Sequence, residues 1–417
     1  MPLPATTPAP GPLVLGRDIF DDPHHLAAAL RQESPVREVA TPRGVTGWLV
    51  TRYEDCRAAL TDPRLLKDAK AATEALGRQM DSTSPYLHAS ARLLESHMLN
   101  TDPPDHTRLR ALVNKAFTPR TVARLRPRIE EITDGLLDAM AEAPAGSDVD
   151  LVKELAQPLP IAVICEMLGI DAADRHRLLE WTRVIVSSAP GADLVKASDD
   201  IVAYLDGLIA RKRAEPADDL MSALVQVSDQ GDRLSRDELV AMGVLMIVAG
   251  HDTTVNLIGN GVFALLSAPE QLGLLRADPS LLPGAVEELL RYDGPVHVAT
   301  HRVAAEPLEL GGARIPKGAL VMVSLLAANR DGERFADPDR LDITRETRGH
   351  LAFGHGIHYC LGAPLARTEA RIALERLLTR FPALRLGEEA GKPSWYPSLL
   401  IHGLVALPVR LGRTRRA

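Results

Sequence analysis

Phe353-Gly354-His355-Gly356-Ile357-His358-Tyr359-Cys360-Leu361-Gly362, followed by APLARTEARIALERLL (363 to 378), reads as a glycine-bent loop running into a helix. Gly354 and Gly356 have access to backbone conformations closed to other residues, and without a Cβ they let the loop lie against a flat ligand. Cys360 is then expected at the helix start. Amides there stabilise negative charge, so a thiolate at that place should have a depressed pKa and serve as a strong donor to a metal. Thiolate is the axial ligand that pushes electron density onto haem iron and favours O–O cleavage, whereas His ligation serves other haem chemistry. A lone Cys is otherwise a small buried hydrophobe, which is the reading for Cys56 and Cys165.

Working outward, Ser235 followed by Glu238 makes a capping box, and the helix it opens should run through LVAMGVLMIVAGHDTTVNLIGNGVFALL to about Ser267. A helix so long and apolar, with charge only near its middle, must be buried along most of its length and cross the core. The polar interruption is Ala249-Gly250-His251-Asp252-Thr253-Thr254. A hydroxyl beside a carboxylate organises water for proton delivery, and a helical Thr bonds back to a carbonyl one turn earlier and bends the helix, opening a groove. The plain alternative is a polar stripe facing solvent. It is disfavoured because polar groups in such a helix need a specific partner. Glu288 and Arg291, three apart in VEELLRY, would by default be a surface ion pair of little worth.

Across the rest of the chain, apolar residues recur at three- and four-residue spacing from about Leu26 to Leu290, as in 130 to 143 and 154 to 170, so the protein is expected to be mainly α. Strand-like runs at Gly47–Thr51, Leu308–Leu310, Leu320–Ser324 and Leu404–Pro408 add small β-sheets. No Gly-, Ser- or Pro-rich stretch divides the interior. The expected organisation is therefore one domain with subregions behind a disordered or extended lead-in over 1–17, with a basic tail over 412–417. A net charge of −7 argues against nucleic acid as a partner. Three scattered cysteines without a CxxC pair suggest neither disulfides nor zinc and fit a reducing cytoplasm. The longest apolar run, Leu239–Ala249, falls short of a membrane span, and the N-terminus does not read as a signal peptide.

The cysteine loop resembles the haem-binding motif FGxGxHxCLG of the cytochrome P-450 superfamily at every fixed position, and the likeness extends from about Asp18 to Leu411. It implies the cytochrome P-450 fold, with haem b held between the long core helix and the cysteine loop, Cys360 on the iron, and Phe353 and Gly354 against the ring. It makes Asp252 and Thr253 the acid and alcohol of oxygen activation. Glu288 and Arg291 become the structural ExxR pair, with Arg340 as third partner, and His106, Arg110, Arg302 and His358 become propionate ligands. The substrate lining is expected from 67–100, from Leu245, Val248 and Ala249, from 295–299 with Val296 and Val298, and from 399–402 with Leu400 and Ile401.

The resemblance is to the soluble bacterial branch, whose actinobacterial members tailor macrolides and other polyketides in antibiotic and secondary metabolism. It implies a monooxygenase that inserts one oxygen atom from dioxygen into a hydrophobic molecule by hydroxylation or epoxidation, with no membrane partner. Electrons would come from NAD(P)H through a separate ferredoxin reductase and ferredoxin. Arg108, Arg110, Lys115, Arg120, Arg124, Arg126 and Arg128 form either a docking patch for that acidic carrier or a solvated face. The rivals are a steroid or terpenoid hydroxylase, a peroxide-driven haem-thiolate enzyme, and, outside enzymology, a haem-based sensor.

Overall fold

The computed structural model describes residues 11–79, 93–144, 146–186, 191–229, 234–390 and 393–412. A short strand, Leu13–Val14 (β1), precedes the helix Pro23–Glu33 (α1), which Asp22 caps by accepting the His25 amide. Then come the strands Val36–Ala40 (β2), Thr46–Val50 (β3) and Leu65–Leu66 (β4). The helical body is built from Asp105–Ala116 (α2), Pro119–Ala141 (α3), Pro158–Leu168 (α4), Arg236–Ser267 (α5) and Leu282–Asp293 (α6). Strands Arg302–Ala304 (β5) and Leu320–Val323 (β6) return to the sheet, and helix Ala363–Arg380 (α7) follows the cysteine loop. The sheet order is β1-β2-β3-β6-β5-β4, with β1 parallel to β2 and β3 parallel to β6.

The reading of α5 holds. Ser235 accepts the Glu238 amide and the Glu238 carboxylate accepts the Ser235 amide at 2.7 Å, a reciprocal cap worth about 1 kcal/mol. Apolar side chains on all faces of α5 pack on α4, α6 and α7, inside a core cluster that runs from Leu94 to Leu411. Among the described residues α5 alone is long and apolar enough to cross a membrane, yet 67% of its most apolar window is buried within the protein.

The helical spacing of 154–170 holds with a local change of pitch: residues Val152–Ala156 form a widened π turn, closed by the Gln157 amide on the Val152 carbonyl at 2.8 Å, and α4 begins at Pro158. Pro158 has no amide to continue the preceding ladder. The strand expected at Leu404–Pro408 lies later, at Pro408–Arg410. The amides of Val405 and Leu407 are taken by the Ser394 carbonyl and the Asp150 carboxylate instead of by a neighbouring strand. Of the lead-in, Leu13 and Val14 pair with Val39 and Ala40, while residues 1–10 and, in the tail, 413–417 lie outside the described residues.

Candidate active site

The cysteine loop folds back on itself. The Cys360 amide donates to the Phe353 carbonyl at 2.9 Å and the Gly354 amide to the Leu351 carbonyl at 2.8 Å. Gly354 and Gly356 have φ of 73° and 74°, the left-handed region the sequence reading required. At Gly356 a Cβ would also meet Thr61 Cγ2 at 2.9 Å. Phe353 is fixed by the Arg367 guanidinium 4.4 Å above its ring, and Arg367 is held by both oxygens of Glu287 at 2.7 Å.

Cys360 precedes α7 by three residues, and the Gly362 and Ala363 amides favour negative charge on its sulfur. The expected depressed pKa is not what this setting produces. Cys360 keeps accessible surface, but protein encloses the sulfur on most sides and burial pushes the thiol up; the two amides, Arg110 and Arg367 pull it down without winning. A metal deprotonates a coordinating thiol outright, so the shift is no obstacle to a thiolate ligand. Cys56 and Cys165 are buried, and burial raises both thiols, with Cys165 reaching about 12, as inert core cysteines require.

Between Leu239 and Val262 the burial of α5 breaks only near its middle: Ala249 is exposed, and Val248, Gly250, Asp252 and Thr253 are half-buried between fully buried turns. Thr253 Oγ1 donates to the Ala249 carbonyl at 2.9 Å, the back-bond expected of it. The Asp252 carboxylate accepts His251 Nε2 at 2.9 Å, while His251 Nδ1 donates to the Ile247 carbonyl at 2.7 Å. Both ring nitrogens therefore face acceptors, the pattern of a protonated imidazole. Burial lowers the His251 pKa, but Asp252 and the carbonyl outweigh it and leave it raised. The sequence reading gave His251 no role. Its signal was the adjacent Asp252.

Four expected propionate ligands come from three separate segments into one cationic group. The rings of His106 and His358 lie 4.3 Å apart, Arg302 is buried with one long bond to the Leu60 carbonyl (3.3 Å), and Arg110 donates to the Tyr359 carbonyl at 2.6 Å. Lys67, buried and bonded to Thr300, joins them and was missed because one Lys at the start of an irregular segment carries no pattern. Nε2 of His106, of His358 and of His301 are buried without a partner. Burial, then the neighbouring cations, lowers His358 to about 3 and His301 to about 4. Asp102, which acts on Lys67, His106 and Arg302, is engaged by the Lys67 and Asp68 amides at 2.9 Å. So many cations and orphaned donors in one place call for an anion, and the two carboxylates of haem fit them.

Glu288 and Arg291 are fully buried and doubly bonded at 2.7 and 2.8 Å, and Arg291 also donates to the Asn329 and Pro338 carbonyls at 2.9 Å. Arg340 is not the third partner. Its side chain is 66% exposed beside Asp342, and only its carbonyl touches Arg291, at 3.4 Å. Arg345, 12% exposed, fills the place with Nε 3.3 Å from Glu288 Oε1. The loop turns between them so that the later Arg points inward.

Of the expected lining, 295–299 and 399–402 pair: the His297 amide meets the Leu400 carbonyl and the Val298 amide the Leu399 carbonyl, both at 3.0 Å, and Val296 bridges Ile401. Leu400 is exposed, and Val296 and Ile401 are half-buried. Val298 does not fit a lining role, because it is buried in a cluster with Leu15, Ile19, Leu30, Val39 and Leu49. Leu245 is likewise core, whereas Val248 and Ala249 border the break in α5. Within 67–100, residues 80–92 lie outside the described residues. In the basic run, Arg108, Arg124, Arg126 and Arg128 are paired with carboxylates of this chain, which favours the solvated-face reading for that part.

A family model described as cytochrome P450 matches residues 275–402. The chain is 53% identical to cytochrome P450 107B1 of Saccharopolyspora erythraea over 395 residues, 95% of this chain and 96% of that protein. Its structure is similar to that of the tirandamycin C-bound P450 monooxygenase TamI, with a TM-score of 0.89 and 47% identity, covering 96% of this chain and 100% of that one. It is also similar to PksS, the cytochrome P450 of the Bacillus subtilis bacillaene polyketide synthase, with a TM-score of 0.86 and 38% identity, covering 95% and 99%.

Proposed function

The chain belongs to the cytochrome P450 family and is a haem-dependent monooxygenase, and from that premise we propose which of its residues carry the reaction and what it oxidises. Haem, when bound, supplies the activation of dioxygen: a substrate C–H bond or alkene, O2, two electrons and two protons give the hydroxylated or epoxidised product and water. Cys360 is the iron ligand, on the loop shaped by Gly354 and Gly356 beside Phe353. His106, Arg110, Arg302 and His358, with Lys67, bind the propionates. The observation that carries this assignment is the clustering of buried, unpartnered His nitrogens with three cations.

Thr253 presents its hydroxyl in the one break in the burial of mid-α5, and Asp252, braced by His251, exchanges a proton with water beside it. Glu288, Arg291 and Arg345 hold the segment ahead of the cysteine loop and take no part in chemistry. Residues 18–411 act as one catalytic unit in the cytoplasm, with electrons passed from NAD(P)H by a ferredoxin and its reductase.

For the substrate we infer a macrolide or other polyketide. Support comes from the named contexts of two structural relatives, tirandamycin C binding in TamI and the polyketide synthase of PksS, together with the apolar groups Val248, Ala249, Val296, Leu400 and Ile401. The test is an absorption titration of ferric protein with macrolides, other polyketides, terpenoids and steroids. A low- to high-spin shift confined to polyketides supports the inference; a shift confined to steroids overturns it. Cys360→Ala should bind no haem with a thiolate spectrum, and a retained thiolate spectrum would overturn the ligand assignment.

A further inference from the structure

Away from the catalytic residues, three segments distant in sequence bring ligand-bearing side chains to one point. His24 lies in the first turn of α1, Asp293 is the last residue of α6, and His402 sits in the C-terminal segment. Asp293 Oδ1 is 2.9 Å from His24 Nε2 and 3.1 Å from His402 Nε2, and the three donor atoms all lie within 4.8 Å of one another. We propose that His24, Asp293 and His402 form a divalent-cation site, suited to zinc, that staples the N-terminal helix and the C-terminal segment to the end of α6.

The donor chemistry fits. Two imidazoles and one carboxylate are borderline ligands of the kind zinc takes, at about 2.0–2.2 Å per bond and so about 3.3 Å between ligands in a tetrahedron. The two observed contacts to Asp293 need open by only a few tenths of an ångström. His24, the least enclosed of the three, is the one placed to adjust toward His402.

The surroundings fit as well. A cavity of about 230 Å³ borders all three residues and leaves room for a fourth, water ligand; Asp21 and Asp22 line it and favour the entry of a cation. Arg330 also lines the cavity, but it is turned to the Tyr292 carbonyl, the Tyr292 ring and Asp339.

The site is also held in place from behind. Asn260 on α5 donates to the Asp293 carbonyl at 3.3 Å and the His402 carbonyl at 3.0 Å, which ties the backbones of two ligands to the core helix. The His402 ring stacks on Trp395 at 4.1 Å, and its amide donates to the Pro295 carbonyl at 2.9 Å. Such outer contacts orient ligands ahead of the metal. An ion here would clamp side chains separated by 269 and 109 residues, so it would act on stability and not on the haem.

The experiment uses untagged ferric holoenzyme, stripped of metal with chelator and titrated with zinc sulfate, followed by elemental analysis after desalting and by thermal melts. The expected result is one retained zinc and, with free zinc at a hundredfold over Kd, a rise in melting temperature of about 3 °C. His24→Asn and His402→Gln should lose both, with the haem spectrum unchanged, while His25→Asn, at an exposed neighbour on α1, should keep both. If His402→Gln does not fold, His24→Asn decides. Wild-type protein that retains no zinc, or His24→Asn that retains it equally, overturns the site.

Discussion

Replacing Arg345 and Arg340 separately by Ala tests which arginine completes the buried carboxylate network. Glu288 Oε2 accepts Arg291 Nε at 2.7 Å; Oε1 accepts Arg291 at 2.8 Å, the Asp342 amide at 2.9 Å and Arg345 Nε at 3.3 Å. Arg345→Ala removes one charge-assisted bond to a carboxylate that keeps its bidentate partner, together with bonds to the Asp337 and Arg340 carbonyls at 3.0 and 3.2 Å. The expected cost is about 1.5–3 kcal/mol. Arg340→Ala removes an exposed side chain 3.6 Å from Asp342 and should cost no more than about 0.5 kcal/mol. Arg291→Ala sets the upper end, about 3–5 kcal/mol, because it leaves a buried charge without its counter-ion. A haem protein of this size need not unfold in two states, so the observable is the order of urea midpoints, read in parallel from far-ultraviolet circular dichroism and the haem band. The expected order is wild type and Arg340→Ala together, then Arg345→Ala, then Arg291→Ala. An Arg340→Ala midpoint at or below that of Arg345→Ala would refute the reasoning, because a solvent-facing guanidinium would then be carrying the network.

Thr253→Ala should leave haem bound but lower product formed per NAD(P)H oxidised, with the balance appearing as peroxide; unchanged coupling measured with a peroxide assay would remove Thr253 from proton delivery. His251→Gln tests the brace on Asp252. The folded pKa of His251 is raised above its value of about 6.5 in the unfolded chain, so its stabilisation is complete below about pH 6.5 and is lost as pH rises through the folded value. The melting-temperature gap between wild type and His251→Gln should therefore be wider near pH 6 than near pH 9, and a gap that widens with pH contradicts a charged His251. Arg302→Ala combined with His106→Ala should increase haem transfer to apomyoglobin at least tenfold, about 1.4 kcal/mol, whereas an unchanged rate would mean the propionates are held elsewhere.

The parts of this protein legible in its sequence are those where one residue type is required at one spacing. Gly354 and Gly356 need positive φ and Ser235 and Glu238 cap each other, so each could be read without knowing what lay around it, whereas the spacing of Glu288 and Arg291 alone reads as a surface pair and only the family resemblance pointed to the buried network. Arg340 was misplaced because a loop has no period to say which of two arginines points inward. Val298 was assigned to the substrate lining because an apolar residue beside a site and an apolar residue in a core look alike in sequence; only the pairing of 295–299 with 399–402 separates them. Lys67 and His251 were passed over for a related reason. Their roles depend on partners that the chain brings to them from elsewhere or one residue away, and a single polar residue does not announce a partner.

How the fold treats its buried polar groups separates structure from function here better than residue type does. Glu288 and Arg291 have every donor and acceptor matched by protein, so nothing remains for a ligand to engage. His106 and His358 instead end in buried nitrogens without a partner, and Lys67, Arg302 and Arg110 are near enough to act on His358. An orphaned atom alone does not mark a site, since Ser198 and Glu369 are also buried with an unmatched oxygen. What distinguishes the cationic group is that several unpartnered imidazole nitrogens converge beside Arg110, Arg302 and Lys67, a cost the fold sustains only where an anion answers it. The His24–Asp293–His402 group is a third case: Asp293 accepts both imidazoles, His24 Nδ1 has no partner, and the group borders a cavity. Its three members can exchange their mutual hydrogen bonds for bonds to one cation without leaving a buried atom newly exposed to an apolar wall, which is why zinc binding there should stabilise the protein and leave the haem spectrum alone.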